Sequence, residues 1–134
     1  MRTIKFRAQS ANVPKLPSIP RPWYYGGIMV DGEEVWLCVK TVGKGVIAIK
    51  ADPETVGQFI GLYDKNGTEI YEGDIILCKG KHVYSVEWIA DGFNMRGNLY
   101  GGITSIKSFL LNQREVIGNI HDNPELKQRI TNGQ

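Results

Sequence analysis

The chain is poor in the residues that metal sites and catalytic centres need. It has two cysteines and two histidines among 134 residues. Structural zinc sites usually present paired Cys-x₂₋₄-Cys knuckles. Here only Cys78-x₃-His82 comes near that spacing, and the turn formers Lys79-Gly80-Lys81 separate the two residues. Cys38 in VWLCV and Cys78 in IILCK lie in apolar runs, where a cysteine acts as a small core hydrophobe. Both are expected to be reduced, with no disulfide. Serines 10, 18, 85, 105 and 108 stand in no strand-turn-helix elbow, and Gly97 and Gly101-Gly102 lack the setting of a phosphate loop. These absences point to a non-enzymatic protein without metal or cofactor. No apolar run approaches the roughly 18 residues of a membrane span. The opening MRTIKFRAQS lacks the continuous apolar stretch of a signal peptide, so a cytoplasmic location is expected.

Net charge is +2, too little to demand a polyanionic partner, but its distribution is uneven. Residues 1–50 carry eight Lys/Arg against three Asp/Glu, and residues 51–76 carry one Lys against six acids. In the acidic block, Asp64-Lys65-Asn66-Gly67 resembles the start of a calcium loop but lacks its remaining oxygen ligands. Asn66, Gly67, Gly73 and Asp74 are better read as turn formers.

What the chain has in abundance is punctuation, with sixteen glycines between short apolar stretches. Ile4, Phe6 and Ala8 alternate with Lys5 and Arg7, the period-two pattern of a half-buried strand. Four prolines follow within nine residues (Pro14, Pro17, Pro20, Pro22), which rules out a central strand and predicts an extended arm. Trp23, Tyr24 and Tyr25 follow it, and their rings are expected to pin the arm. Asp31-Gly32 predicts a hairpin between 28–30 and 35–39, and 45–50 reads as another strand. Asp52-Pro53 predicts a short capped helix. Asn66-Gly67 predicts the tip of a hairpin between 59–63 and 68–71. Glu72-Gly73-Asp74, Lys79-Gly80-Lys81 and Asp91-Gly92 set off strands at 75–78, 82–89 and 93–95. Residues 96–102 read as a loop, and 105–111 and 115–120 as strands. Asn123-Pro124 opens a short helix over 125–130. Turns about every ten residues predict a mainly β protein: a small SH3-like barrel or meander, an additional N-terminal β part and short helices. The expected division is 1–58, with the arm and capped helix, and 59–134, the barrel-like part, packed as one unit.

Three blocks carry a family resemblance: MRTIKFRA (Met1–Ala8), the run from Asp52 to Ile76 ending YEGDII, and EVIGNIHDNPEL (Glu115–Leu126). In order and spacing the chain resembles the YopX protein family of phage- and prophage-encoded proteins. It departs from the family pattern at Gln9-Ser10, where a Trp-Asp pair is usual, and at Ile60, where Thr is usual. The resemblance implies an accessory protein of phage growth or maintenance in a bacterial host, and it transfers no catalytic residue.

Two functional readings follow. One is a protein-interaction or self-assembly module that uses the proline-rich arm and Trp23, Tyr24 and Tyr25. The other is a weak nucleic-acid-binding barrel with Lys79, Lys81, His82, Tyr84 and Trp88 on one hairpin, joined by Arg96 and Tyr100. In both readings Asn66, Gly67, Gly73 and Asp74 serve structure.

Overall fold

A computed structural model describes residues 3–97 and 102–131. The described residues are mainly β, with two antiparallel sheets and one short α-helix. It divides into two compact units, Met1–Phe59 and Ile60–Gln134.

In the first unit, β1 (Phe6–Gln9), β2 (Trp23–Asp31), β3 (Glu34–Thr41), β4 (Gly45–Lys50) and the start of β5 (Gly57–Tyr63) lie in the order β4-β3-β2-β1-β5. Strand β2 serves two neighbours in succession. Residues 23–26 pair with β1, and residues 27–31 pair with β3. Gly26 stands at the switch, where a Cβ would lie 2.0 Å from the Cys38 carbonyl oxygen. Backbone approach that close requires glycine. Ala8, Leu37 and Ala51 form the buried centre, flanked by Phe6, Tyr24, Val35, Val39 and Val56.

The proline-rich arm forms turns, with one isolated bridge between Leu16 and Ile19. Trp23, Tyr24 and Tyr25 are the opening residues of β2, set opposite Gln9, Ala8 and Arg7. The residue that ties the arm down is Arg21. Its buried guanidinium donates to the carbonyls of Ser10 and Val13, each at 3.3 Å, and meets the Asp52 carboxylate at 2.9 Å. Asp52 also caps the 3₁₀ turn Pro53–Thr55, accepting from the Glu54 amide as its N-cap position requires.

In the second unit the end of β5 and β6 (Glu69–Tyr71) form the hairpin expected at Asn66-Gly67. Strands β7 (Asp74–Cys78), β8 (His82–Ile89), β9 (Gly92–Arg96), β10 (Ile103–Thr104) and β11 (Arg114–Asn119) form a sheet in the order β10-β9-β8-β7-β11. It is a meander from β7 to β10, completed by β11 beside β7. Both faces are covered. Ile76, Cys78, Tyr84, Val86 and Met95 pack with Ile70, Ile106 and Phe109 on one side. Ile75 and Val83 pack with Ile130 and Leu126 of helix α1 (Pro124–Thr131) on the other. Burial on both faces explains why β7 reads as a continuous apolar run.

Three expectations shift. The first hairpin turns at Gly32-Glu33, because Asp31 pairs with Glu34, and the last turns at Ala90-Asp91, because Ile89 pairs with Gly92. Both lie one residue from the expected pair. The expected strand over 105–111 is replaced by two 3₁₀ turns, Ile106–Ser108 and Leu111–Gln113. Local side chains compete for that backbone: Ser105 Oγ accepts from the Lys107 amide and Gln113 Oε1 from the Leu110 amide. Spacing of three then brings both Ile106 and Phe109 into the core. The expected loop at 96–102 falls largely on residues 98–101, outside the described residues.

Gly26→Ala should destabilise the protein by about 2 kcal/mol or more, because a methyl group there displaces backbone; urea titration measures it. Cys78 is fully buried, and burial pushes its thiol up to about 12, against the opposing charges of Arg114 and Lys79. It should be silent to a thiol reagent in the native protein, and both cysteines should titrate after denaturation without reductant.

Candidate functional site

The block from Asp52 to Ile76 is built around one carboxylate. Asp64 is 1% exposed and directly follows β5. Its Oδ1 accepts from the amides of Asn66 and Thr68, and its Oδ2 from the amide of Val116 on β11, all at 2.9 Å. Arg114 adds a bond from Nε to the Tyr63 carbonyl, and the Lys65 amide donates to the Arg114 carbonyl. Burial alone would raise the pKa of Asp64, but the amides of Val116, Thr68 and Asn66 outweigh it, and the value is lowered from about 3.8. Gly67 has φ +80°, and Asp64 closes the loop by donating its amide to the Thr68 carbonyl. Asn66 and Gly67 thus sit at the hairpin tip, in a three-residue loop with glycine at the left-handed position. Gly73 has φ +94°, and Asp74 Oδ2 accepts from the Tyr71 amide at 2.7 Å across the next turn.

The basic and aromatic residues of β8 do not form one platform. Tyr84 is buried in the core against Phe109. Lys79 and Lys81 flank the turn before His82, whereas Trp88 lies near the far end of β8, six residues along or roughly 20 Å away. Trp88 is 61% exposed and stacks edge-on against Phe93. Arg96 pairs with Glu87 at 3.3 Å. Tyr100 lies outside the described residues. Lys79 instead joins Lys65, Leu77, Gly80, Asn112, Gln113 and Glu115 around an open cleft of about 210 Å³. Among the described residues, no three of His, Cys, Asp and Glu converge on one point, and no helix is long and apolar enough to cross a membrane.

Of the aromatic triplet, Trp23 and Tyr24 are half-buried and Tyr25 is exposed. The Arg7 guanidinium lies 4.5 Å over the Trp23 ring. The larger apolar surface lies further along the same sheet. Met29 and Val30 on β2, Val42 in the β3–β4 turn, and Val46 and Ile47 on β4 are all exposed. Strand register assigns them to faces, because directly opposed residues share one. Val30, Val35, Leu37, Val39, Ile47 and Ile49 line the core side, and Met29, Trp36, Cys38, Val46 and Ala48 line the other. The sequence does carry this signal. Val46-Ile47-Ala48-Ile49 is apolar at both parities, which in a strand means that both faces are apolar.

The family model for the YopX protein matches residues 18–128. The chain belongs to the YopX family. No curated protein matches it. Among solved structures it is similar to a crystal structure of protein EF1440 from Enterococcus faecalis, with 20% identity and a TM-score of 0.61. That match covers 94% of this chain and 99% of the other. At that identity it shows a shared fold. The family match begins before the aromatic triplet and ends within α1, so it includes both the Asp64 network and the exposed sheet.

Asp64→Asn should cost about 2–3 kcal/mol at neutral pH, because charge-assisted bonds are lost and buried amides are left poorly matched. The folded pKa is lowered, so the contribution of Asp64 is present above pH ~3.8 and disappears as pH falls through the folded value. Chemical denaturation across pH should show the difference between wild type and variant narrowing on acidification.

Proposed function

We propose that this YopX-family chain is a non-enzymatic interaction or assembly module. In this reading it is an accessory protein of a phage or prophage and acts in the cytoplasm of the bacterial host. The observation that carries the reading is the sheet formed by β2, β3 and β4, which exposes Met29, Val30, Val42, Val46 and Ile47. Beside it β4 is the terminal strand of its sheet. Exposed apolar side chains next to an open strand edge suit a protein partner, which supplies both main-chain bonds and apolar cover. A second reading, weak nucleic-acid binding, draws on Lys65 and Lys79 at the cleft. A phosphate-driven contact there would weaken steeply with salt.

A tagged pull-down from host lysate, with and without nuclease, separates the two. Capture should survive nuclease and be abolished by Met29→Glu with Val46→Glu. Capture that vanishes with nuclease and falls in Lys65→Ala with Lys79→Ala would replace this reading with the nucleic-acid one.

A further inference from the structure

We infer that the partner of the β4 edge is a second copy of this chain, joined in antiparallel register with Ile47 opposite Ile47. The inference rests on the interaction reading above and names its partner.

Backbone direction on β4 decides which groups face outward. Ala51 donates its amide to the Val35 carbonyl, toward β3, and the Lys50 carbonyl accepts from Ala11 on the opposite side. Alternation along the strand then turns the amides and carbonyls of Val46 and Ala48 to the open edge. The contact between Ala11 and Lys50 marks where that edge ends. A second β4 must therefore satisfy Val46 and Ala48 and stop short of Lys50. Antiparallel pairing of Val46 with Ala48 of the second copy does so, and it is self-complementary, as a two-fold interface must be.

Side chains and charges agree with this register. Ile47, 42% exposed on the core side beside Val39, meets its own copy across the axis. The apolar row of one core thereby continues into the other. Val46, 67% exposed, lies beside the second copy's Ala48 on the opposite face. The two ends of the sheet carry opposite charge: Asp31, Glu33 and Glu34 surround the β2–β3 turn, and Lys40 and Lys44 surround the β3–β4 turn. Antiparallel pairing places each basic turn toward the acidic end of the other copy. Lys44 then falls opposite Lys50, whose ammonium is already held by Glu34 at 2.8 Å.

The test is sedimentation velocity of the full chain over a concentration series, with two variants. Wild type should dimerise. Ala48→Pro removes an outward amide but none directed at β3, so the fold survives and self-association should weaken at least about tenfold. Ile47→Cys, made together with Cys38→Ser, should form an intermolecular disulfide under mild oxidation, because Cα atoms of such a pair lie ~4.5 Å apart. The cross-link decides the case if Ala48→Pro does not fold. A wild type that stays monomeric at every concentration would overturn the inference. So would a dimer that Ala48→Pro leaves intact, or one in which Ile47→Cys does not cross-link. Capture of a different protein, lost in the Met29→Glu, Val46→Glu variant, would keep the interaction reading while self-pairing fails.

Discussion

The second unit depends on one buried carboxylate. Asp64 ties its own loop through Asn66 and Thr68 and reaches β11 through Val116, 52 residues later. A charged acceptor with three amide donors is among the stronger polar contacts available to a protein, and leaving those donors unmatched is costly. Strand β11 in turn lies beside β7, and both apolar clusters of the unit draw on the two strands: Val116 and Ile76 on one face, Ile117 and Ile75 on the other. A register slip at Asp64 would therefore turn the wrong residues of β11 toward both clusters. The bulge between Val116 and Gly118 lies just past the contact, where the strand must bend toward the turn before α1.

The first unit solves a harder problem with less material. Its centre is three small or medium side chains and a ring of half-buried ones, and polar groups supplement the packing. Arg21, Asp52, Gln9 and Thr55 interlock: the Gln9 amide donates to Thr55 Oγ1, the Thr55 hydroxyl to the Asp52 carbonyl, and Gln9 Nε2 to the Arg21 carbonyl. Each of these four residues thereby has a hydrogen-bond partner within the network. The chain's departure from the usual family opening at Gln9-Ser10 falls within this network, and both residues are buried.

Much of this was legible in the sequence. The turns were marked by residues with physical reasons to be there, so β1 to β9 and β11 followed in order along the chain, whereas β10 at Ile103–Thr104 did not. The misplacements at Gly32-Glu33 and Ala90-Asp91 share a cause, since hairpin register is set by cross-strand pairing that local residue preference does not encode. The 105–111 segment was lost because Ser105 and Gln113 bond their own backbone, while Ile106 and Phe109 gave an apolar content that a strand would also give. Arg21 was invisible because nothing in PRPW distinguishes a buried arginine from a solvated one. Asp64 falls in the turn that Asn66-Gly67 marks, but its reach to Val116 is tertiary. Tyr84 and Trp88 share a strand face in the sequence pattern, yet one lies in the core and the other beyond its margin.

The edges of the two units differ in a way that bears on function. In the second unit β10 is two residues long, and β11 carries a bulge and opens with Arg114-Glu115. Short strands, bulges and charges are the usual means of blunting an edge against further pairing. Strand β4 uses none of them between Val46 and Ile49. It has no proline, its register against β3 is unbroken, and Lys44 and Lys50 stand outside the exposed groups. A short unprotected edge costs little if it is covered, and it invites pairing if it is not. In this fold protection is present at one pair of edges and absent at another, and the unprotected edge carries the exposed Val46 and Ile47. That coincidence is the ground on which the proposed pairing of β4 stands.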